Sequence, residues 1–254
     1  MGKETKFISF FNQKGGVGKS TFEIIMATYC HNMLGLKVAI LDSDFPQHNV
    51  LKLRENEIKL IQKSEVNQQI FARLGKPVFP VEGSEPASAV ADLDNFLELE
   101  AGEEAFDIVF VDLPGTVNTP GVLSTIARLD HIFIPIVADQ LVVTSSLEFG
   151  LVVAEKIIGQ PNINLKSLHY FWNNVVKSEK SNLYGATEDT LKELDLPFLS
   201  HQIAQSVKFR KPEFRSTIFP MDRSLMKETN VVPLIHEILE IIGINVSSEI
   251  QTIE

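Results

Sequence analysis

The run Gln13-Lys14-Gly15-Gly16-Val17-Gly18-Lys19-Ser20-Thr21 constrains this chain more than any other stretch. An apolar segment over 6–11 precedes it, and apolar residues at helical spacing follow it. Strand, glycine-rich turn and helix start, in that order, aim several backbone N–H groups at one point, an arrangement suited to a polyphosphate. Glycine is demanded because a Cβ would hold the backbone away from the phosphates. In such a loop Lys19 reaches the β- and γ-phosphates and the Ser20 hydroxyl ligates Mg²⁺. The competing reading is a glycine-rich turn with incidental lysines, which the strand and helix on its flanks disfavour.

The rest of the chain alternates strand and helix. Helix one is expected over 20–34, with Phe22, Ile25, Met26, Tyr29, Cys30 and Met33 at helical spacing. A strand over 37–41 ends in Asp42, and polar helices follow over 50–63 and 66–74. A short strand near 78–81, a turn at 83–86 and a helix over 87–99 come next. Strands over 106–111, 131–137, 168–172 and 198–203 alternate with helices over 120–128, 142–158, 183–194 and 231–242. Continuous apolar strands with helical crossovers predict an α/β fold, a doubly wound, mostly parallel sheet with helices on both faces. Ligands of such sheets bind at the C-terminal ends of the strands, where every motif considered below falls. One domain is expected over 1–246, with a polar tail over 247–254.

Composition excludes several classes. Hydrophobic residues make up 44 % of 254 positions, enough for a buried two-faced sheet. Cys30 is the sole cysteine, which excludes an intrachain disulfide and a cysteine-only metal cluster. The first residues, MGKETKFISFF, lack the apolar core of a signal peptide, and no apolar run reaches about 18 residues, so a cytoplasmic protein without a membrane span is expected. The formal net charge of −10 argues against nucleic-acid binding over the whole surface, though not against a local basic patch.

Two further motifs belong with the loop. Asp112 ends the apolar run FDIVFVD, where a carboxylate faces the Mg²⁺ held by Ser20; the alternative is an Asp that caps the next turn. Gly115 suits a mobile segment that senses the γ-phosphate. Asp42-Ser43-Asp44 closes the second strand, and with one residue between them on an extended chain the two carboxylates point apart. Capping of a local turn is the alternative for both.

The segment NQKGGVGKST resembles the ParA/MinD family of dimeric P-loop ATPases, and the ParA (Soj-like) branch more than the MinD branch. Within it the chain resembles the ParA-like proteins carried by conjugative transposons. The loop is the family's deviant Walker A motif, with Gln13 where the general pattern has Gly. The resemblance covers about 6–242, strongly at the loop and weakly after about 150. It implies that Lys14 reaches across a homodimer to the nucleotide held by the partner. It further implies that Lys14, Gly15, Gly16, Val17, Gly18, Lys19, Ser20 and Thr21 cradle ATP. Asp44 would orient the attacking water, making Lys14, Lys19 and Asp44 the catalytic set. Asp42 would join Ser20 and Asp112 near the Mg²⁺ shell. The family reads D-x-D-P-Q where this chain reads Asp42-Ser43-Asp44-Phe45-Pro46-Gln47, so the loop after Asp44 is one residue longer and efficient hydrolysis is called into question. Asn173, after the strand over 168–172, and Pro212 match positions near the adenine; ordinary loop residues are the alternative.

Relatives in the ParA branch commonly bind DNA without sequence specificity, which requires a basic surface. Lys208, Arg210, Lys211, Arg215, Arg223 and Lys227 face only Glu213 and Asp222 over 208–227, a local +4. Lys208, Arg210, Lys211 and Arg215 are the DNA-binding candidates, against the alternative of a solvated mixed-charge face. The segment VVPLIHEILEIIG carries Glu237 and Glu240 without Lys or Arg, unlike a basic membrane-binding helix. The resemblance thus implies ATP and Mg²⁺ as ligands, an ATP-bound homodimer, nonspecific DNA, and a separate protein that stimulates slow hydrolysis. A non-hydrolysing ATP-dependent scaffold that positions a protein cargo is the alternative of a different class, and a P-loop small-molecule ligase is a further one.

Overall fold

The computed structural model describes residues 4–99, 105–176, 182–211 and 214–246. Among the described residues six strands form one parallel sheet: β1 Lys6–Phe10, β2 Val38–Asp42, β3 Val81–Gly83, β4 Ile108–Asp112, β5 His131–Ile136 and β6 Ser167–Trp172. Their order is β3-β2-β4-β1-β5-β6. The winding reverses at β1, so the loop after β1 sits at the point where such sheets bind ligands.

Among the described residues the helices are α1 Lys19–Asn32, α2 Asn49–Gln62, α3 Glu65–Leu74, α4 Ala89–Leu99, α5 Val122–Arg128, α6 Gln140–Lys156, α7 Asn182–Glu193, α8 Arg223–Thr229 and α9 Val231–Ile241. Strand residues alternate between two cores because successive side chains leave opposite faces. Ile8, Phe10, Val38, Ile40, Phe110 and Phe133 pack with α1 and α9 on one face. Phe7, Phe11, Leu41, Val109, Val111 and Ile134 pack with α4, α5 and α6 on the other. The result is the three-layer architecture expected from the alternating pattern. Phe22 of α1 meets Phe171 edge-on at 5.1 Å and Phe10 at 5.7 Å, which anchors the helix directly below the glycine loop. Cys30 is fully buried in this layer, and burial pushes its thiol pKa up, so it is a packing residue.

The elements depart from expectation in three places. The strand near 78–81 begins only at Val81, because Pro80 has no N–H and the Phe79 carbonyl is taken by the Arg54 guanidinium at 2.7 Å. The strand over 198–203 is reduced to isolated bridges at Phe198 and Ala204. Leu199 and Ile203 still donate to Tyr170 and Trp172 carbonyls of β6, but Glu237 of α9 accepts the N–H groups of Ser200 and His201 at 2.7 and 3.0 Å. That carboxylate pulls the middle of the segment out of the ladder. The helix α8 has no counterpart in the sequence reading; its start is set by Asp222, whose Oδ1 accepts the N–H groups of Ser224 and Leu225. The expected tail over 247–254 lies outside the described residues.

One close approach gives a stability prediction. A Cβ at Gly150 of α6 would lie 1.7 Å from Tyr170 Oη, which donates to the Ser146 carbonyl at 2.9 Å. Gly150→Ala is expected to lower the urea-unfolding free energy by about 1–3 kcal/mol through overpacking. Adding Tyr170→Phe to that variant, which removes the clashing hydroxyl, should recover part of the loss; additive losses in the double variant would refute the steric account.

Candidate nucleotide site

β1 carries the chain to Asn12, which is fully buried. Asn12 Nδ2 donates to the Pro135 carbonyl at 2.9 Å and to Ser146 Oγ at 2.8 Å, and its Oδ1 accepts the Lys14 N–H at 2.9 Å. These bonds tie the start of the loop to β5 and α6. Gly16 and Gly18 have φ of +77° and +100°, values that strain any residue with a Cβ. A Cβ at Gly18 would also lie 2.6 Å from Asn173 Nδ2. At Gly15 the situation is reversed: φ is not positive and a Cβ would meet nothing within 4 Å. No contact among the described residues demands glycine there, whereas a ligand pressed against the backbone would. Helix α1 begins at Lys19 with no side-chain cap and no acidic residue in its first turn, which leaves its N-terminal N–H groups and dipole for an anion.

Lys19 Nζ donates to the Lys14 carbonyl at 3.3 Å, so the ammonium rests on the loop's own backbone. Burial depresses its pKa, while Asp112, Asp44 and Glu23 act to raise it. A Cβ at Gly115 would sit 3.3 Å from Lys19 Nζ, which shows that the loop after β4 lies against the glycine loop.

Asp112 ends β4 in register with Asp42 at the end of β2. Both of its carboxylate oxygens are buried, and neither meets a partner in full hydrogen-bond geometry among the described residues, although the Ser20 hydroxyl lies close enough to pull its pKa down. Burial pushes its pKa up to about 7; Ser20 and Lys19 work against that, and the charges of Asp42 and Asp44 add to it. A buried carboxylate beside a hydroxyl and an ammonium has the chemistry of a cation ligand. No group of three or more His, Cys, Asp or Glu able to hold a metal ion exists among the described residues. That donor set fits Mg²⁺, which binds through one or two protein oxygens and takes the rest from phosphates and water.

Asp42 Oδ2 accepts the N–H groups of Val50 and Leu51 at 2.9 Å, and its Oδ1 accepts the Asp44 N–H at 3.3 Å. Two of these bonds hold the start of α2 and the third closes the local turn to Asp44, while the β2–β4 register keeps Asp42 beside Asp112. Asp44 is half-buried; burial raises its pKa, Asp42 adds to this, and Lys19 and His48 oppose it. Lys19, Asp44 and Asp112 therefore share one electrostatic neighbourhood. Phe45 lies in the turn after Asp44, is 47 % exposed, and contacts the His48 ring edge-on at 5.6 Å.

Asn173 is brought to the glycine loop rather than left for a ligand alone: Nδ2 donates to the Val17 carbonyl at 2.8 Å, and Oδ1 accepts the Asn174 N–H. Pro212 lies outside the described residues. In the basic segment Lys208 is paired with Glu228 at 2.6 Å and donates to Ser224 Oγ. Glu228 falls one residue beyond the window counted above and lowers its excess to +3. Arg215 is half-buried and donates to the Arg210 carbonyl, so Arg210 and Lys211 are the exposed members of the four candidates.

Sequence reasoning missed Glu23, Asn12 and His48. Glu23 is fully buried in α1; burial, and then Asp112, hold its carboxyl well above the usual range. Its signal was a lone acid in the apolar run FEIIMA. His48 Nδ1 shares the Asp42 carbonyl oxygen's environment at 3.0 Å, a contact no spacing rule reveals.

The family described as the CobQ/CobB/MinD/ParA nucleotide binding domain matches residues 8–218. The chain is 29 % identical over 151 residues to the chromosome-partitioning ATPase Soj of Thermus thermophilus, covering 52 % of this chain and 55 % of that protein. It thus spans about half the length of the curated relative it matches. A putative plasmid partition protein of Borrelia burgdorferi B31, solved bound to AMPPNP, superimposes with a TM-score of 0.60 at 18 % identity, over 92 % of this chain and 98 % of that one. Apo McdA of Cyanothece gives 0.61 at 17 % identity, over 94 % and 100 %. At these identities the two structures establish the fold alone. The family match runs from within β1 through the loop, Asp44, Asp112 and Asn173, and on this ground the chain belongs to the CobQ/CobB/MinD/ParA nucleotide-binding family.

Proposed function

We propose that this protein is an ATPase switch of the ParA type: it binds Mg-ATP, dimerises in that state, hydrolyses ATP slowly with help from a second protein, and positions DNA. The observation that carries the reading is Asp112, a buried carboxylate beside Ser20 and Lys19 at the start of α1, neither of whose oxygens has a fully formed hydrogen bond among the described residues. In this reading the backbone N–H groups of 15–20 and Lys19 hold the phosphates, Lys19 exchanging the Lys14 carbonyl for phosphate oxygen. Ser20 and Asp112 would hold Mg²⁺, which when bound neutralises charge on the β- and γ-phosphate oxygens. Asp44 keeps a water oriented for attack, its half-burial limiting competition from bulk solvent. Lys14, half-buried next to the exposed Gly15 and Gly16, serves the partner's nucleotide. Asn173 keeps one Nδ2–H for the base after bonding Val17.

Light scattering with Mg-ADP and with Mg-ATP, with and without nonspecific duplex DNA, tests the reading. An ATP-only dimer that retains DNA is expected. A monomer under every condition would remove the role of Lys14 and the switch with it. An ATP dimer indifferent to DNA would favour the scaffold for a protein cargo, a reading to which the exposed Phe45 beside Asp44 lends support. The DNA arm rests on Arg210 and Lys211. Arg210→Glu with Lys211→Glu is expected to weaken DNA retention at least about tenfold and to flatten its salt dependence by about two ions. Nucleotide binding should be unchanged, and undiminished DNA retention in the double variant would move the contact elsewhere.

A further inference from the structure

The ladder between β1 and β4 opens at its upper end, and one side chain fills the opening. Lys6 N–H donates to the Asp107 carbonyl at 3.0 Å, and the register pairs Lys6 with Ile108 and Ile8 with Phe110. Continuing two residues at a time, the Phe10 N–H belongs on the Val111 carbonyl. That carbonyl instead accepts Ser9 Oγ at 2.6 Å, and the Phe10 N–H donates to Glu23 Oε1 at 3.3 Å. On the other edge of β1 pairing continues, with Phe11 N–H on the Phe133 carbonyl at 3.0 Å. The opening is therefore confined to the β1–β4 seam, where β1 leads into the glycine loop and β4 ends in Asp112.

We infer that Glu23 is a positioning residue: its side chain, inserted from α1, holds β1 and β4 apart and so sets the distance between the Ser20 end of the loop and Asp112. The inference rests on the Mg-nucleotide reading above. Glu23 is fully buried, and its second oxygen has no hydrogen-bond partner. Burial, and then the charge of Asp112, hold its carboxyl well above the usual range; glutamine reproduces its shape and its acceptor oxygen, whereas alanine leaves the Phe10 N–H free to return to the Val111 carbonyl. Closing the seam displaces Asp112 relative to Ser20 and penalises the metal without touching the phosphate cradle.

The test measures binding of a fluorescent ATP analogue during Mg²⁺ titration and, separately, in EDTA. Glu23→Gln should keep the wild-type Mg²⁺ midpoint. Glu23→Ala should raise that midpoint at least about tenfold, the scale seen when residues behind a metal ligand are removed. Its affinity in EDTA should stay within about twofold of wild type, a split that a general loss of stability would not produce. An unchanged midpoint in Glu23→Ala, or an equal shift in Glu23→Gln, overturns the inference. Should Glu23→Ala fail to fold, Glu23→Val supplies the test: it fills part of the space that alanine leaves but reaches no N–H, so it should shift the midpoint in the same direction, and a wild-type midpoint there overturns the inference. A wild-type protein with no Mg²⁺-dependent nucleotide binding would defeat the nucleotide reading itself, whereas Mg²⁺-dependent wild type with unaltered variants defeats only the wedge.

Discussion

Lys19→Ala is expected to weaken ATP binding about 100-fold, as loss of an ammonium–phosphate hydrogen bond of about 2–3 kcal/mol requires. The reason lies in what surrounds the ammonium. Burial already destabilises its charged form, and the carboxylates Asp112 and Asp44 are the groups that support it. Its present acceptor is a backbone carbonyl at 3.3 Å, a weak contact that a phosphate oxygen would replace with a charge-assisted one. Removing it also strips Asp112 of its nearby cation, so Asp112 should hold its proton more tightly and the Mg²⁺ requirement should rise together with the nucleotide requirement. Equilibrium binding of a fluorescent ATP analogue checks both effects. Wild-type affinity in Lys19→Ala would mean that the loop does not bind phosphate in the way proposed.

Asp112→Asn is expected to stabilise the nucleotide-free protein at pH 8 while abolishing Mg²⁺-dependent turnover. The folded-state pKa of Asp112 is about 7 against an ordinary 3.8. A carboxyl raised on folding is protonated in the native state over a pH range in which the unfolded chain has already released its proton. The native state therefore binds more protons between about pH 4 and pH 7, and stability falls as pH rises through that window. Above it the penalty is complete, about 4 kcal/mol at most on the scale of 1.36 kcal/mol per pKa unit. Asparagine carries no charge and escapes it. Thermal unfolding of the free protein should show Asp112→Asn gaining several degrees at pH 8 and much less at pH 5. Saturating Mg-ATP should reverse the ranking, because only the wild type keeps the metal ligand. Equal pH profiles for the two proteins would show that Asp112 is not the buried anion the structure describes.

The placement of these two residues, unlike that of several others, was legible in advance. Lys19 and Asp112 each sit inside a short segment whose own pattern, apolar strand then loop, fixes where the side chain emerges. Asp42 and Asp44 were legible as a pair, whereas the bonds that Asp42 makes to the start of α2 were not. Which oxygen caps α2 depends on where Val50 and Leu51 fall after a longer turn through Phe45, and local spacing does not encode that. The basic segment shows the same limit: Lys208 counted as free charge until Glu228, a full helix away in α8, was found against it. The strand over 198–203 failed for a reason of this kind, since Glu237 of α9 competes for its N–H groups.

The alternation of apolar strands with amphipathic helices determined, by itself, a parallel sheet with two cores and a phosphate loop at its reversal point, because burial of both sheet faces and the glycine requirement act over a few residues at a time. Tertiary structure alone decided that Asn173 braces Val17, that Asp42 holds the start of α2, and that Glu23 stands between β1 and β4. Each of these is a polar atom seeking a partner in a space from which water has been excluded. The partner available is whatever the fold brings near, regardless of its distance along the chain.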